Sequence, residues 1–356
     1  MNRLIIIGNG FDLAHGMKTS YNDFMLDYVS KVFKEAMKSM NFEDDLVSIK
    51  INSIPHYDIN RYSKLSEYVL LFPLLNNPIR PEFTINFKSN FLKALLENLQ
   101  ELNWVDVEQK YFELLKEYNS KAWKNDIIEL NKAMAIIRQM LIDYLNNINL
   151  AEPSQIISDI FRQKFNNNLY FDSAIEKLNR REFPEHTYFL DFNYTNLIKQ
   201  YFSKYPWGGQ ATQIKIHGSL NDDTNPVIFG YGDEMDEEYK KIELSGNKEA
   251  LKYIKSYWYS LTAQYRMLFA SLEEKPFEVF VIGHSCGLSD RVMFSEIFQS
   301  PNCKFIRLFY YEKADKTDNY IETNQSISQH FSIENRHKMR IKVISKSPTD
   351  LLPKLT

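Results

Sequence analysis

Residues 1–24 read MNRLIIIGNGFDLAHGMKTSYNDF, and this stretch decides the fold class. The apolar run Leu4 to Ile7 is too short for a signal peptide or a membrane anchor, and it suits a buried β-strand. Glycine and polar residues follow it at once, as they do in a turn from a strand into a helix. Such a turn predicts a phosphate-binding loop for a nucleotide-type ligand, because its backbone amides can donate to phosphate oxygens.

Short apolar runs of strand length recur along the chain, mostly in its second half. They are continuous rather than alternating, as expected when helices cover both faces of a sheet. The sequence therefore predicts an α/β fold with a doubly wound, mostly parallel, six-stranded Rossmann-like sheet. The predicted strands are Leu4–Ile7, Tyr188–Phe192, Ile214–Ile216, Val279–Ile282, Phe305–Tyr310 and Ile341–Ile344.

The first two predicted strands are separated by about 180 residues, far more than the one crossover helix that a parallel pair needs. These residues read mainly as helix. The sequence therefore predicts a nucleotide-binding core from residues 1–30 and 180–356, and a mainly helical insertion lobe at residues 31–179.

Two helices are predicted from apolar residues that recur at three- and four-residue steps. One runs from Ile127 to Ile148, with Asp126 as its N-cap, and the other from Leu251 to Leu272. Their apolar stripes suit core packing and would also suit a subunit interface, so a homo-oligomer is a candidate assembly. Residues 41–81 contain four prolines and no sustained period, which predicts loop or short irregular structure.

Composition limits the class of protein and of partner. Hydrophobic residues make up 44% of the chain and charged residues 25%, a balance typical of globular proteins. The net charge of -3 and the lack of a long basic tract argue against a nucleic-acid partner. No run approaches the roughly 20 apolar residues that span a bilayer. Two cysteines, Cys286 and Cys303, suit a reducing compartment, so a cytoplasmic location without a membrane partner is predicted.

The turn after the first strand is the first candidate site. Glycine at its start lets a backbone approach a phosphate closely, although Leu13 stands where the usual dinucleotide fingerprint has glycine. An ordinary strand-to-helix turn is the alternative. The candidate binding residues are Gly8, Asn9, Gly10, Phe11, Asp12, His15 and Gly16.

Two more candidates follow later predicted strands. Asn193, in the segment DFNYTN, offers an acceptor and donors that could hold a ribose hydroxyl or a water, and Tyr194 follows it. Capping of the next helix is the alternative for Asn193. His217, in the segment IHGS, has the chemistry of a general base near neutral pH, although a lone histidine is more often structural.

The fourth candidate is the segment IGHSCGLSD, which also follows a predicted strand. Gly283, His284 and Ser285 could frame a phosphate or a ribose. Cys286 is expected to be a buried, inert thiol. Ser289 or Asp290 is expected to cap the helix that follows.

An acidic run, Asp233 to Glu238, prompts a nuclease as a less favoured alternative. Carboxylates at the start of a helix are usually solvated and stabilised by the helix dipole, which is the preferred interpretation.

At these residues the chain resembles the bacterial AbiH family of phage abortive-infection proteins. The GNGFDLAHG of residues 8–16 and the TSYNDF of residues 19–24 are similar to the opening signature of the family. The later FNYTN at 192–196, IHG at 216–218 and GHS at 283–285 are similar as well. The resemblance implies an antiviral-defence protein that responds to an unknown phage-derived trigger.

More distantly, the order of these motifs is similar to the sirtuin-like NAD-binding fold. That resemblance implies catalytic roles for Asn193 and His217 at the nicotinamide ribose. It implies NAD as the ligand. The residues assigned to NAD binding are Gly8, Asn9, Gly10, Phe11, Asp12, His15, Gly16, Tyr194, Gly283, His284 and Ser285.

The sequence also departs from the sirtuin-like pattern. Asp12 replaces a small hydroxyl residue, and His15-Gly16 replaces a serine-glycine pair. Two cysteines cannot build the four-cysteine zinc module of protein deacylases, so no metal is expected. The resemblance therefore implies an effector that binds NAD and hydrolyses its nicotinamide-ribose bond. A non-catalytic sensor of NAD or ADP-ribose is the alternative.

Overall fold

The computed structural model describes residues 1–53, 83–97, 104–165, 182–205, 207, 210–313 and 315–355. The chain divides into two compact units. The sheet unit comprises Met1–Met17, Leu145–Met235 and Ile254–Thr356, and the helical unit comprises Lys18–Tyr144 and Asp236–Tyr253. The predicted core of residues 1–30 and 180–356 and insertion of residues 31–179 use other boundaries, and that division stays a prediction.

Strands occur in both units. They are β1 (Asn2–Ile7), β2 (Asn41–Glu43), β3 (Val47–Ile51), β4 (Phe83–Phe87), β5 (His186–Asp191), β6 (Gln210–Lys215), β7 (Phe277–Ile282) and β8 (Cys303–Phe309).

Helices take up more of the described residues than strands do. The α-helices are Asn9–Ala14, Tyr21–Ser39, Asn90–Glu97, Trp104–Ser120, Lys124–Asn146, Gln155–Phe161, Leu197–Lys204, Glu237–Leu244, Lys255–Tyr259, Gln264–Glu274, Arg291–Gln299, Tyr320–Ser328 and Arg336–Lys342. Short 3-10 helices span Lys248–Leu251, Leu288–Asp290, Ile333–Asn335 and Pro348–Asp350.

A five-stranded parallel sheet forms the centre of the sheet unit. Its strand order is β6-β5-β1-β7-β8, and every neighbouring pair is parallel. Strand β1 is central, with Ile5 opposite Phe189 of β5 on one side and Phe280 of β7 on the other. The chain therefore runs outward from β1 in both directions, and loops of distant sequence meet beside its carboxyl end.

Helices cover both faces of this sheet, which explains the continuous apolar strands. Leu4 and Ile6 of β1 pack in one core cluster with helices Gln264–Glu274 and Arg291–Gln299. Ile5 and Ile7 pack on the opposite face with helices that include Phe161. The predicted α/β class, with a mostly parallel sheet, is therefore confirmed.

The sixth predicted strand, Ile341–Ile344, is wrong. Residues Arg336–Lys342 form a helix instead, and the side chain of Ile341 is 73% exposed. A single bridge between Val343 and Ile306 is what remains of strand pairing there. The helix packs through Met339 against the core cluster that includes β8, and Val343 packs partly buried against the same cluster.

The predicted helix from Leu251 to Leu272 is also wrong as one element. It is divided into the 3-10 helix Lys248–Leu251 and the helices Lys255–Tyr259 and Gln264–Glu274. The interruption has a cause, because Ile254 pairs with Tyr231 as an isolated bridge in extended conformation. Tertiary pairing therefore overrides the regular apolar spacing.

The helical unit contains a small antiparallel sheet as well as helices, in the order β2-β3-β4. The expectation of loop over residues 41–81 is therefore wrong for residues 41–51, and residues 54–82 lie outside the described residues. Helix Lys124–Asn146 confirms the predicted helix, and its stripe from Ile127 to Leu141 is buried. Asp126 lies in its first turn rather than at the predicted N-cap.

Within the described residues, no helix has the length and apolar character needed to cross a membrane.

A buried ion pair joins two neighbouring strands of the parallel sheet. Arg3 of β1 is fully buried, and its Nε lies 2.6 Å from Oε1 of Glu278 on β7. Its Nη1 donates to the carbonyl oxygen of Phe161 at 2.9 Å, and its guanidinium lies 4.4 Å from the ring centre of Phe280. Arg3 thereby ties β1 to β7 and to the helix that covers them.

We expect Arg3→Met to lower the free energy of unfolding by about 3 kcal/mol, because the substitution removes one member of a buried ion pair while Glu278 stays buried. Urea unfolding followed by circular dichroism measures the loss. Lys132→Met is the control, since Lys132 and Glu129 form an exposed pair, and it should change stability by less than about 0.5 kcal/mol. Equal effects of the two substitutions would contradict the role of the buried pair.

Candidate functional site

The four motifs singled out in the sequence all lie at the carboxyl edge of the parallel sheet. They follow β1, β5, β6 and β7, and in parallel strands these ends share one edge. Ligands of open α/β sheets bind at this edge, beside the point where the strand order reverses.

The turn after β1 packs against the turn after β7. The Gly10 amide donates to the Gly283 carbonyl oxygen at 2.8 Å, and the Gly8 amide donates to Ile282 at 3.2 Å. A Cβ at Gly8 would lie 2.6 Å from the His284 ring, and a Cβ at Gly10 would lie 2.9 Å from Gly283. The glycines at positions 8 and 10 are therefore required by the close approach of two loops of the protein itself.

Asp12 connects the β1 turn to the segment after β5. Asn193 Nδ2 donates to its Oδ1 at 3.0 Å and to the Gly8 carbonyl oxygen at 3.1 Å, and Thr195 Oγ1 donates to Asp12 Oδ2 at 2.7 Å. Burial raises the pKa of Asp12 from 3.8 to about 7, although these donors favour its charged form. Asn193 therefore faces the β1 turn and does not cap the following helix.

A second buried carboxylate and a lysine complete this polar cluster. Asp191 accepts from the Asn193 amide at 2.9 Å and from Gln213 Nε2 at 2.8 Å. Lys215 Nζ donates to the carbonyl oxygens of Tyr194 and Thr195. Burial raises the pKa of Asp191 and lowers that of Lys215. The cluster fixes the shape of the loop that carries Asn193.

His217 lies one strand further along the edge and is held by Asp290. Its Nε2 is 3.0 Å from Asp290 Oδ1 and 3.3 Å from the Tyr259 hydroxyl. Its ring packs edge-on against Phe192 and lies nearly parallel to Tyr259, with centres 6.3 Å apart. The centre of the Tyr194 ring lies 6.5 Å from that of the His217 ring, and the Tyr194 hydroxyl donates to the Ile228 carbonyl oxygen.

Asp290 is the centre of a buried network that sequence reasoning did not find. Lys255 Nζ lies 3.2 Å from both of its oxygens, the Tyr259 hydroxyl donates to Oδ1 at 2.9 Å, and Ser289 donates to Oδ2 at 3.1 Å. Burial alone would raise the pKa of Asp290, but Lys255 and His217 hold it well below its usual range.

Asp290 occupies the N-cap position of the helix Arg291–Gln299, as predicted, but its side chain makes no cap hydrogen bond. Its carboxylate serves Lys255, Tyr259 and His217 instead. Lys255 and Tyr259 lie in a segment whose spacing resembled an ordinary amphipathic helix, so no local signal distinguished them. Only the fold brings residues 217, 255–259 and 290 together.

The residues of the segment after β7 differ in their exposure to solvent. The His284 ring lies between Phe192 and Phe294, its Nδ1 accepts from the Cys286 amide at 2.9 Å, and burial lowers its pKa to about 3. Ser285 is exposed. The expectation of a buried thiol at Cys286 is confirmed, and burial raises its pKa.

The second half of the β1 turn points into the core. Phe11 is buried, and His15 Nδ1 donates to its carbonyl oxygen at 2.7 Å while Nε2 accepts from the Tyr201 hydroxyl at 2.6 Å. Asn9 is half-buried, and Gly16 lies just past the helix end with a φ of +74°. The structure therefore brings Gly8, Asp12 and Asn193 together and uses both ring nitrogens of His15 inside the protein.

Two carboxylates of the acidic run, Asp233 and Asp236, have structural partners. Asp233 accepts from Arg291 Nη1 at 3.4 Å, and Asp236 caps the helix Glu237–Leu244 by accepting from the Glu238 amide at 2.7 Å. Among the residues the structure describes, no group of three His, Cys, Asp or Glu is placed to hold a metal ion. The acidic run therefore leads into the helix Glu237–Leu244, of which Asp236 is the N-cap.

A cavity of about 560 Å³ opens beside Asp290 within the sheet unit. Tyr259, Tyr265, Arg266 and Glu234 line it. Its volume lies within the range of small-molecule sites, roughly 300 to 1,000 Å³. Asp290 and Tyr259 thus contact both the cavity and His217.

The family model described as "Bacteriophage abortive infection AbiH" matches residues 4–312. The chain belongs to the AbiH family. The match includes every motif described above and most of both units. No curated protein matches the chain, and no solved structure matches it.

We expect Gly283→Ala to destabilise this AbiH protein by at least about 2 kcal/mol. The new Cβ would lie 2.2 Å from the Phe11 amide nitrogen, and the φ of +67° disfavours a side chain. Gly246→Ala is the matched control, since Gly246 has the same φ of +67° and nothing within 4 Å of its Cβ. It should cost only about 1 kcal/mol. Equal losses in urea unfolding would mean that backbone conformation, not loop contact, requires glycine at 283.

Asp12 gives the AbiH protein a testable pH dependence. Its folded-state pKa of about 7 exceeds the ordinary 3.8, so the native protein keeps a proton that the unfolded chain releases between these values. The resulting stability is complete below the unfolded pKa and is lost as pH rises through the folded pKa. The free energy of unfolding of Asp12→Asn, relative to that of the wild type, should therefore rise by up to about 1.4 kcal/mol per pH unit between these two pKa values. A stability difference independent of pH in urea unfolding would contradict the buried, protonated carboxyl.

Proposed function

We propose that the protein is an effector of abortive infection that binds NAD and hydrolyses its nicotinamide-ribose bond. Membership of the AbiH family suggests the role in phage defence. One observation carries the proposed reaction: buried Asp290 holds His217 through Nε2, while Nδ1 accepts no hydrogen bond from the described residues. A cytoplasmic location, a phage-derived trigger and a homo-oligomeric state belong to the same proposal.

The contact with Asp290 selects the tautomer that a neutral His217 ring adopts. Because Lys255 and His217 keep the pKa of Asp290 low, Asp290 is ionised and accepts the Nε2 proton. The lone pair of the neutral ring then lies on Nδ1. A histidine whose one nitrogen is oriented by a carboxylate and whose other nitrogen is free has the arrangement of a general base.

Hydrolysis of NAD would use this base on a water molecule. The bond between the ribose C1′ and the nicotinamide nitrogen breaks, and its electron pair goes to nicotinamide. The water oxygen bonds to C1′ and its proton passes to His217 Nδ1, which leaves nicotinamide and ADP-ribose. The transition state resembles an oxocarbenium ion, so positioning of the ribose and the water supplies most of the acceleration.

Asn193 would position the ribose or the water through its amide oxygen. Asn193 Nδ2 donates both of its hydrogens, one to the Gly8 carbonyl oxygen and one to Asp12 Oδ1. The Asn193 Oδ1 accepts no hydrogen bond from the described residues. Asp12 therefore sets the orientation of the amide and directs its oxygen away from the β1 turn. The 560 Å³ cavity beside Asp290 has the size for part of a nucleotide.

A non-catalytic sensor of NAD or ADP-ribose is the second candidate. It is favoured by the internal hydrogen bonds of Asn193 Nδ2 to Gly8 and Asp12, because they give this side chain a structural role that needs no reaction. Tight NAD binding with no nicotinamide release, in extracts of phage-infected cells as well as with purified protein, would support the sensor.

We expect His217→Gln to abolish nicotinamide release from NAD, because glutamine cannot take the proton from water. Asp290→Asn should lower the rate by about 100-fold or more, since the orientation and tautomer of His217 are lost. Chromatography of nicotinamide, with purified protein and with extract of infected cells, measures both. Thermal unfolding establishes that the variants are folded.

His337→Gln is the matched control, because His337 is exposed and its ring contacts the Glu334 carbonyl oxygen. It should release nicotinamide at the wild-type rate. Wild-type release by folded His217→Gln would remove this residue from the mechanism, and release by no form of the protein would reject NAD hydrolysis.

A further inference from the structure

Two side chains, Tyr259 and Asp290, lie between the cavity and His217. Tyr259 lines the cavity, and its hydroxyl contacts both Asp290 Oδ1, at 2.9 Å, and His217 Nε2, at 3.3 Å. The rings of His217 and Tyr259 are within 12° of parallel, and those of Tyr259 and Tyr265 within 20°. A row of aromatic rings therefore connects the candidate base with the cavity wall.

Three charged side chains line the cavity: Asp290, Arg266 and Glu234. Asp290 is neutralised by Lys255, so it does not act as a free anion toward a ligand. Arg266 is exposed, and its guanidinium pairs with no carboxylate among the described residues. Glu234 is half-buried and likewise pairs with no cation in the described part of the chain. The wall thus presents one unpaired cation and one unpaired anion.

The cavity also holds an unsatisfied hydroxyl. Ser256 lines it, and its Oγ is buried without a hydrogen-bond partner among the described residues. Burying a hydroxyl without a partner costs free energy, so a ligand group that meets it would bind favourably.

We propose that this cavity binds the ribose-phosphate portion of a nucleotide. A guanidinium pairs with a phosphate, and a carboxylate accepts from the two hydroxyls of a ribose. Arg266 takes the phosphate, Glu234 takes the ribose diol, and Ser256 bonds a sugar oxygen. Tyr259 and Asp290 form the wall between this sugar and His217. The inference rests on the proposed function in one respect: the nucleotide is part of NAD or of its cleavage product, ADP-ribose.

Three probes separate the contacts: AMP, 2′-deoxy-AMP and adenosine, each titrated by calorimetry into the full-length protein. AMP should bind most tightly, because 2′-deoxy-AMP lacks one hydroxyl of the diol and adenosine lacks the phosphate. Arg266→Gln should weaken AMP binding by at least about tenfold and leave adenosine binding unchanged. Glu234→Gln should reduce the preference for AMP over 2′-deoxy-AMP.

Two substitutions serve as controls. Arg340 is exposed on the helix Arg336–Lys342, and Glu273 is exposed on the helix Gln264–Glu274. Arg340→Gln and Glu273→Gln should leave the affinity for every probe unchanged. The same titrations with ADP-ribose test whether the product of NAD cleavage uses the same contacts.

The outcomes distinguish this inference from the proposed function. AMP binding that depends on Arg266 and Glu234 supports the cavity whether or not nicotinamide is released. AMP binding that neither substitution changes, or no binding of AMP and ADP-ribose by the folded wild type, overturns it. Nicotinamide release that persists in those cases leaves the role of His217 intact.

Discussion

The ion pair between Lys255 and Asp290 is the interaction on which the site depends. Both side chains are buried, and the lysine nitrogen lies 3.2 Å from each carboxylate oxygen. Removing two charges from water is costly, and the pair is retained only because further donors surround the carboxylate. His217 and Tyr259 are among those donors. The charge that Lys255 stabilises is therefore the charge that orients the candidate base.

Two buried carboxylates at the same edge of the sheet have opposite properties. Burial raises the pKa of Asp12 to about 7 against the effect of its neutral donors Asn193 and Thr195, whereas Lys255 and His217 hold the pKa of Asp290 low. Environments that separate the pKa values of two carboxyls are typical of sites that carry acid and base chemistry. Asp12 orients Asn193 and Asp290 orients His217, so each of the two candidate catalytic residues is held by a carboxyl group of its own.

The parallel sheet could be predicted because burial on both faces leaves a direct trace in the sequence. Five continuous apolar runs became strands β1, β5, β6, β7 and β8. The run at 341–344 gave the same trace but belongs to a helix and a single bridge, since a short apolar run fits either structure. The segment from Leu251 to Leu272 kept helical spacing while Ile254 paired with Tyr231, which is a tertiary contact that spacing does not encode.

The sequence by itself determined the α/β class, the family motifs and the loops that meet at one edge of the sheet. It did so because each motif directly follows an apolar strand and because parallel strands end together. Only the tertiary structure decided what those residues contact: Gly8 and Gly10 against Gly283, Asn193 on Asp12, and His217 on Asp290 with Lys255. These partners lie 35 to 275 residues apart along the chain. Their pairing depends on backbone paths through the whole sheet unit, and local composition carries no record of it.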